Sequence, residues 1–168
     1  MRFAAILAVL TSVGVFPSPA SAQTEPLGLL VRAGFFWPAA VDARAIGKQW
    51  FTIGAEMELG ELRLGGSGGY RATYSISLDT YTRAGASSLP VLINYVGYVN
   101  EYHYTLGAGV AFVDRPGFDN AAKLTYQVGV GYEISGGPAP LIVELRWWSV
   151  SDVSSFLDGF SFTIGVRL

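Results

Sequence analysis

The chain has 168 residues, 51% of them hydrophobic, with no cysteine, one histidine and a formal net charge of −2. That length makes one domain. The missing cysteines exclude a disulfide scaffold and zinc-thiolate chemistry, and a negative charge with no Lys/Arg cluster argues against a nucleic-acid partner.

The N-terminus reads as an export signal. Arg2 supplies a positive start, Phe3 to Phe16 an apolar run, and Ala20-Ser21-Ala22 a small-residue cleavage site before Gln23. This predicts a signal peptide over 1–22, cleaved after Ala22; Pro17 and Pro19 speak against a buried helix. Cleavage removes Arg2 and moves the net charge from −2 to −3. Residues 23–27 are expected to form a short disordered mature terminus, and 28–168 the folded domain. No later run approaches the ~18 apolar residues of a spanning helix.

From Gly28 the sequence alternates. Leu29, Val31, Ala33, Phe35 and Trp37 share one face of a first strand and Arg32 and Gly34 the other, until Pro38 removes a ladder donor. Ala39 to Gln49 read as a polar loop with Asp42, Arg44 and Lys48. A second strand sets Phe51, Ile53, Ala55, Met57 and Leu59 against Thr52, Gly54, Glu56 and Glu58. The turn after it falls within 60–69, at Gly60-Glu61 or at Gly65 to Gly69. A third strand sets Tyr70, Ala72, Tyr74, Ile76 and Leu78 against Arg71, Thr73, Ser75, Ser77 and Asp79. Thr82 to Ser88 read as a loop, with Pro90 opening a weak fourth strand of Val91, Ile93 and Tyr95.

After a tight turn at Val99-Asn100-Glu101, the fifth strand places Tyr102, Tyr104, Leu106, Ala108, Val110 and Phe112 opposite His103, Thr105, Gly107 and Gly109. Asp114 to Asn120 form a loop. The sixth strand is the clearest, with Leu124, Tyr126, Val128, Val130, Tyr132 and Ile134 against Lys123, Thr125, Gln127, Gly129, Gly131 and Glu133. Past Gly136-Gly137-Pro138, the seventh opposes Leu141, Val143, Leu145 and Trp147 to Glu144, Arg146 and Trp148. Ser149 to Asp158 make the last loop. Phe160, Phe162, Ile164, Val166 and Leu168 then alternate with Ser161, Thr163, Gly165 and Arg167 to the end of the chain.

Eight alternating strands of about ten residues predict an all-β fold: an eight-stranded, antiparallel, up-and-down transmembrane barrel. Collected together, the apolar faces carry no charge and many large rings, too much bulk for the narrow bore of eight strands. They are therefore expected to face outward, and the Gly/Ser/Thr-rich faces inward. A water-facing surface of that kind is unusual, whereas a bilayer accepts it. Aromatic girdles are expected at the two rims: Trp37, Phe112, Trp147 and Phe160 at one, Tyr70, Tyr102, Tyr104 and Tyr132 at the other. Aliphatics such as Val31, Ile53, Val110, Val128, Val143 and Ile164 lie between.

With this pattern the chain resembles the small bacterial outer-membrane β-barrels, the group containing the OmpA transmembrane domain and OmpX. The resemblance runs from Gly28 to Leu168 and rests on pattern rather than on a motif. It implies an outer-membrane location, membrane lipid as the surrounding partner, a monomer, and engagement of the barrel-assembly machinery during biogenesis. It also assigns the alternation of Phe160, Phe162, Ile164, Val166 and Leu168 as the assembly signal, although that family usually ends in Phe or Trp.

Catalytic chemistry finds little footing. A hydrolase needs Ser, His and an acid or metal together; His103 is the only histidine and faces the bore, with Thr105 rather than Ser two residues on. Glu56 and Glu58 share a face without further metal ligands, and Gly65 to Gly69 lack the Lys-Ser/Thr of a phosphate loop. No catalytic residue, metal site or cofactor is expected. The remaining constellation is a set of bore-facing charges: Arg32, Glu56, Glu144 and Arg146 near mid-strand, and Glu58, Arg71, Glu133 and Arg167 nearer the end that carries the termini. An unpaired buried charge is costly, so these should pair across the bore and plug it. The expected role is non-enzymatic, in envelope structure or surface interaction. A lipid-modifying enzyme and a narrow pore are the alternatives.

Overall fold

Alternation along each segment becomes register in space. The computed structural model describes residues 28–62, 70–115, 121–137, 139–151 and 155–168. The expected signal peptide, the 23–27 terminus and the Gly65 to Gly69 turn candidate lie outside them. The elements are strand β1 (Leu29–Pro38), helix α1 (Val41–Ile46), and strands β2 (Trp50–Leu62), β3 (Tyr70–Arg83), β4 (Ala86–Val99), β5 (Tyr102–Asp114), β6 (Ala121–Ile134), β7 (Leu141–Val150) and β8 (Gly159–Arg167). Each strand pairs antiparallel with the next, and β8 pairs with β1, giving a closed up-and-down barrel. Leu168 completes the seam, its N–H donating to the Leu29 carbonyl at 2.8 Å. Closure leaves no edge strand, so the ladder groups of the wall satisfy one another.

The faces fall as the alternation predicts. Val31, Phe35, Ile53, Ile76, Ile93, Leu106, Val128, Leu145 and Ile164 point outward and are exposed, while Arg32, Thr52, Ser75, Asn94, Thr105, Gln127, Glu144 and Thr163 point inward and are buried.

Four local expectations are corrected. The loop at Thr82 to Ser88 shrinks to two residues: Arg83 pairs with Ala86 across Ala84 and Gly85, whose φ angles of 44° and 86° give the twist a two-residue hairpin needs. Pro90 does not open β4 but sits inside it, and the β3–β4 ladder lapses between Leu78↔Val91 and Tyr81↔Ser88 because proline offers no donor. Gly60-Glu61 is not a turn either. Both residues pair with β3, past a bulge between Glu58 and Gly60 that takes up one residue. The expected polar loop after Pro38 contains α1, which buries Ala43 against the mouth of the barrel.

The bore also holds more bulk than the Trp148 that alternation places on its inner face. Large rings enter it, in its half nearest α1. Phe36, Trp50, Tyr81 and Trp148 fill it, with Leu92, Val113, Val150, Phe156 and Leu157 around them. Phe36 stacks on Tyr81 at 4.2 Å between centroids and meets Trp50 edge-on at 5.7 Å. Space comes from small neighbours such as Ala86 and Ala111 and from Gly159, where a Cβ would lie 2.7 Å from Phe36 Cζ. Every polar tip is satisfied: Trp50 Nε1 donates to the Gly47 carbonyl at 2.8 Å, Tyr81 Oη to the Leu157 carbonyl at 3.2 Å, and Trp148 Nε1 to Ser161 Oγ at 2.7 Å. The first two bonds also tie the segments around α1 and Leu157 over the mouth. This plug is a dry core built from inward-facing side chains of a barrel.

Candidate functional site: the charged bore

Below the aromatic plug, toward the termini, the bore turns polar. Arg32, on β1, is the hub. Its Nε and Nη2 clamp the two oxygens of Asp79 at 2.9 and 2.7 Å, and its Nη1 donates to Glu56 Oε2 at 2.8 Å. Glu144 Oε2 stands 3.8 Å from the same Nη1. Arg146, on β7, donates to Glu56 Oε2 at 2.9 Å and to Glu144 Oε1, joining β7, two strands beyond the hub's own strand, to the cluster. Two guanidiniums thus serve three carboxylates drawn from β2, β3 and β7, all of them buried.

A neutral shell surrounds these charges. Ser75 donates to Glu56 Oε1 at 2.6 Å, and Arg146 Nη1 reaches Gln127 Oε1 at 3.0 Å. Gln127 in turn donates to Asn94 Oδ1 at 2.7 Å, and Asn94 to Ser75 at 3.3 Å. Glycines on neighbouring strands leave the necessary room. A Cβ at Gly54 would fall 1.8 Å from Asp79 Oδ1, and one at Gly131 only 2.2 Å from the His103 ring. His103 is 5% exposed, inside the bore, with its Nε2 3.1 Å from Glu144 Oε1.

A second layer lies at the rim beside the termini. Arg167 donates to Glu58 Oε1 at 2.7 Å and to Tyr98 Oη at 2.9 Å, and Tyr98 donates to the same Glu58 oxygen at 2.7 Å. Arg71 lies 4.5 Å above the Tyr98 ring and 3.5 Å from Glu58, while Glu133 stands 3.8 Å from Arg167. This layer is wetter, with the Arg71 and Glu61 side chains 44% and 60% exposed. Between the two layers lies a cavity of about 10 Å³ lined by Glu56, Tyr98, His103, Glu144 and Arg167 among others.

All eight charges singled out from the sequence therefore face the bore, and they meet in two groups, with Arg32, Glu56, Glu144 and Arg146 in the inner one. Asp79 was missed as a partner. Its signal was its place on the bore-facing side of β3, across the β2–β3 ladder from Gly54, where a missing side chain leaves space for a carboxylate to be clamped.

On the outer wall, Phe160 is paired with both Trp37 and Trp147, and Trp147 meets it edge-on at 4.6 Å. Phe112 stands apart from these three, on β5. At the other rim Tyr102 meets Tyr132 edge-on at 5.0 Å, and Tyr70 bonds both Tyr104, at 2.8 Å, and Tyr95. On β8, Phe160, Phe162 and Ile164 are exposed and Val166 lies on the same face, half-buried, while Leu168, one residue past the strand, is exposed.

No family model matches the chain, and no curated protein does. Two solved structures resemble it. One is the outer membrane enzyme PagL, with 13% identity, a TM-score of 0.48 and coverage of 83% of this chain and 99% of that one. The other is the outer membrane protein Ail of Yersinia pestis, with 12% identity, a TM-score of 0.43 and coverage of 83% and 98%. The likeness is one of fold. What this bore does is argued from its own residues.

Proposed function

We propose that this chain is an integral outer-membrane barrel, non-enzymatic and closed to solutes, that serves the envelope as a structural or surface-interaction element. The observation that carries the reading is the contrast between its two faces. Outward strand positions from β1 to β8 present exposed Val, Ile, Leu, Phe and Tyr side chains with no charge among those of the belt, whereas the charges turn inward and pair. Water disfavours that arrangement and a hydrocarbon slab favours it. Aromatic pairs toward the two ends of this wall suit the two interfaces of a bilayer.

Closure of the bore is supported by two barriers in series, a dry aromatic plug and a layer of paired charges. A non-enzymatic role is supported by the placement of the one histidine, which faces the bore and is hydrogen-bonded to Glu144, behind the wall that lipid touches. The outward residues of β8 suit recognition by the assembly machinery, with Leu168 as the final contact. Cell fractionation combined with heat-modifiable gel mobility tests the reading: the protein should partition with the outer membrane and migrate differently before and after boiling. Recovery in a soluble fraction with no mobility shift would overturn it.

A further inference from the structure

The cavity of about 10 Å³ between the two charge layers has a chemistry of its own. Glu58, Tyr98 and Arg167 of the rim line it, and so do Glu56, His103 and Glu144 of the inner layer. Three of these residues each bring a buried polar atom that has no hydrogen-bond partner: His103 Nδ1, Glu144 Oε2 and Arg167 Nε. What each of the three can do follows from its other bonds. Glu144 accepts from Arg146 through Oε1, so it is a carboxylate and its Oε2 is an acceptor. His103 points Nε2 at that same Oε1 from 3.1 Å, so Nε2 carries the hydrogen and Nδ1 is the second acceptor. Arg167 Nε can only donate.

We propose that this cavity is a binding site for one water molecule, which bridges the two charge layers and keeps cations out of the space between them. The inference rests on the closed bore of the reading above. Size and chemistry select the occupant together. A space of about 10 Å³ admits a single water, and a buried water needs two to four polar partners. Two acceptors and one donor face this space; water gives an O–H to each acceptor and accepts from the donor. Charge alone would favour a cation, because the inner layer sets two guanidiniums against three carboxylates. Arg167 decides against it. A sodium or ammonium ion accepts nothing, so it would leave Arg167 Nε unanswered and stand beside a guanidinium, both at a cost. The water enters from the side of the termini, where Glu58 and Arg167 belong to the wetter rim, their side chains 20% and 10% exposed. Toward the loops the Arg32–Asp79 clamp and the aromatic plug bar the way.

The test uses the single histidine. The full barrel, made with isotope-labelled histidine and folded in detergent micelles, gives one imidazole ring in its NMR spectra. Wild type should show a cross-peak from water to the ring Hε1 and an Nδ1 resonance at the position of a hydrogen-bonded acceptor. Val96→Ile and Leu30→Phe enlarge two apolar residues of the lining and leave every charge in place. Each should abolish the cross-peak and move Nδ1 to the position of a bare acceptor. Trp50→Ala, in the plug, should keep both signals, which separates loss of the water from loss of stability. Mobility before and after boiling confirms that each variant is folded. Exchanging choline chloride for sodium chloride at equal ionic strength should leave Nδ1 where it is. A wild-type cross-peak in both filled variants overturns the proposal, and so does a bare Nδ1 in wild type or a shift of Nδ1 that follows sodium. Steady current through wild type in a planar bilayer would sink the closed bore itself, whereas a dry cavity in a closed bore sinks only the water site.

Discussion

Arg32→Met is the sharpest perturbation of the bore, because it keeps most of the side-chain bulk and removes the hub. In wild type Arg32 holds Asp79 at 2.7 Å and Glu56 at 2.8 Å, with Glu144 at 3.8 Å. The variant leaves three buried carboxylates facing Arg146 alone. Each close pair is worth roughly 4 kcal/mol of gross attraction at an effective dielectric constant of about 20. Much of that is offset, since the variant no longer has to desolvate a guanidinium. The net loss for breaking a buried ion cluster by removing one partner is about 3–5 kcal/mol. Glu56→Gln should cost less, because Arg32 keeps its two-pronged hold on Asp79 and Arg146 keeps Glu144. Glu61→Ala at the wet rim should cost about 0–1 kcal/mol, as its partner Arg71 lies 3.4 Å away in solvent. Urea titration of the barrel folded in phosphatidylcholine vesicles, followed by tryptophan fluorescence, measures all three. Adding Asp79→Asn to Arg32→Met should recover about 0.5–3 kcal/mol relative to the summed single changes. An Arg32→Met cost no larger than that of Glu61→Ala, with additive doubles, would refute the hub.

The orientation of the wall predicts that Val128→Arg costs about 2–4 kcal/mol in the same titration and Leu124→Arg, nearer the loop-side rim, clearly less; equal costs would mean that no hydrocarbon belt surrounds β6. The serial closure predicts no steady current in a planar bilayer, for wild type and for Trp50→Ala alike, because the charge layer stays shut when the plug is thinned. Trp50→Ala should nonetheless lose about 3–5 kcal/mol of stability, and steady wild-type conductance would contradict both barriers. The placement of His103 predicts no fatty-acid release from phospholipid or lipid A, and for His103→Ala a change in stability only. Release that disappears in that variant would make the barrel an enzyme.

Much of the wall was legible because a strand's period of two leaves two readings of each segment, and charge chooses between them. On β6, Lys123, Gln127 and Glu133 mark the inner face and leave Leu124, Val128 and Val130 outside. Reading failed where period and charge gave no purchase. Phe36 and Trp50 fall on inner positions but are apolar, so their parity had to outweigh their hydrophobicity. Ala86 was lost to the expected Thr82 to Ser88 loop for another reason. Polar residues around Ala84-Gly85 resemble a loop, yet a two-residue turn with both φ angles positive carries the strands through them. Among the charges, alternation placed each on the inner face, but partner choice depends on the stagger between strands, which only the closed ladder defines. Arg32 faces Gly54 across the β1–β2 ladder and Gly54 faces Asp79 across the next. The guanidinium therefore reaches over a glycine to a carboxylate two strands away, a contact that no spacing along the chain announces.

That reach also explains how so small a barrel can use its charges. Hydrogen bonds of the wall join each strand only to its neighbours. Arg146 to Glu56 joins β7 to β2 across the bore, over a sequence separation of 90 residues, and Arg32 to Asp79 joins β1 to β3. The rim layer repeats the device, with Arg167 of β8 holding Glu58 of β2. Of these cross-braces, Arg146–Glu56 and Arg167–Glu58 pass over the β8–β1 seam, the one pairing that must form between the two ends of the chain, and so the loop with the largest closure entropy. An apolar bore could be packed as tightly but would not specify stagger, since aromatic side chains tolerate sliding. A guanidinium held at both oxygens of one carboxylate does not, because a shift of two residues along the strand would move it about 7 Å and leave both groups unpaired. The plug therefore fills the bore, while the charge layers set stagger: Arg32 with Asp79 fixes it among β1, β2 and β3, and Arg146 with Glu56 and Arg167 with Glu58 tie the strands on either side of the β8–β1 seam.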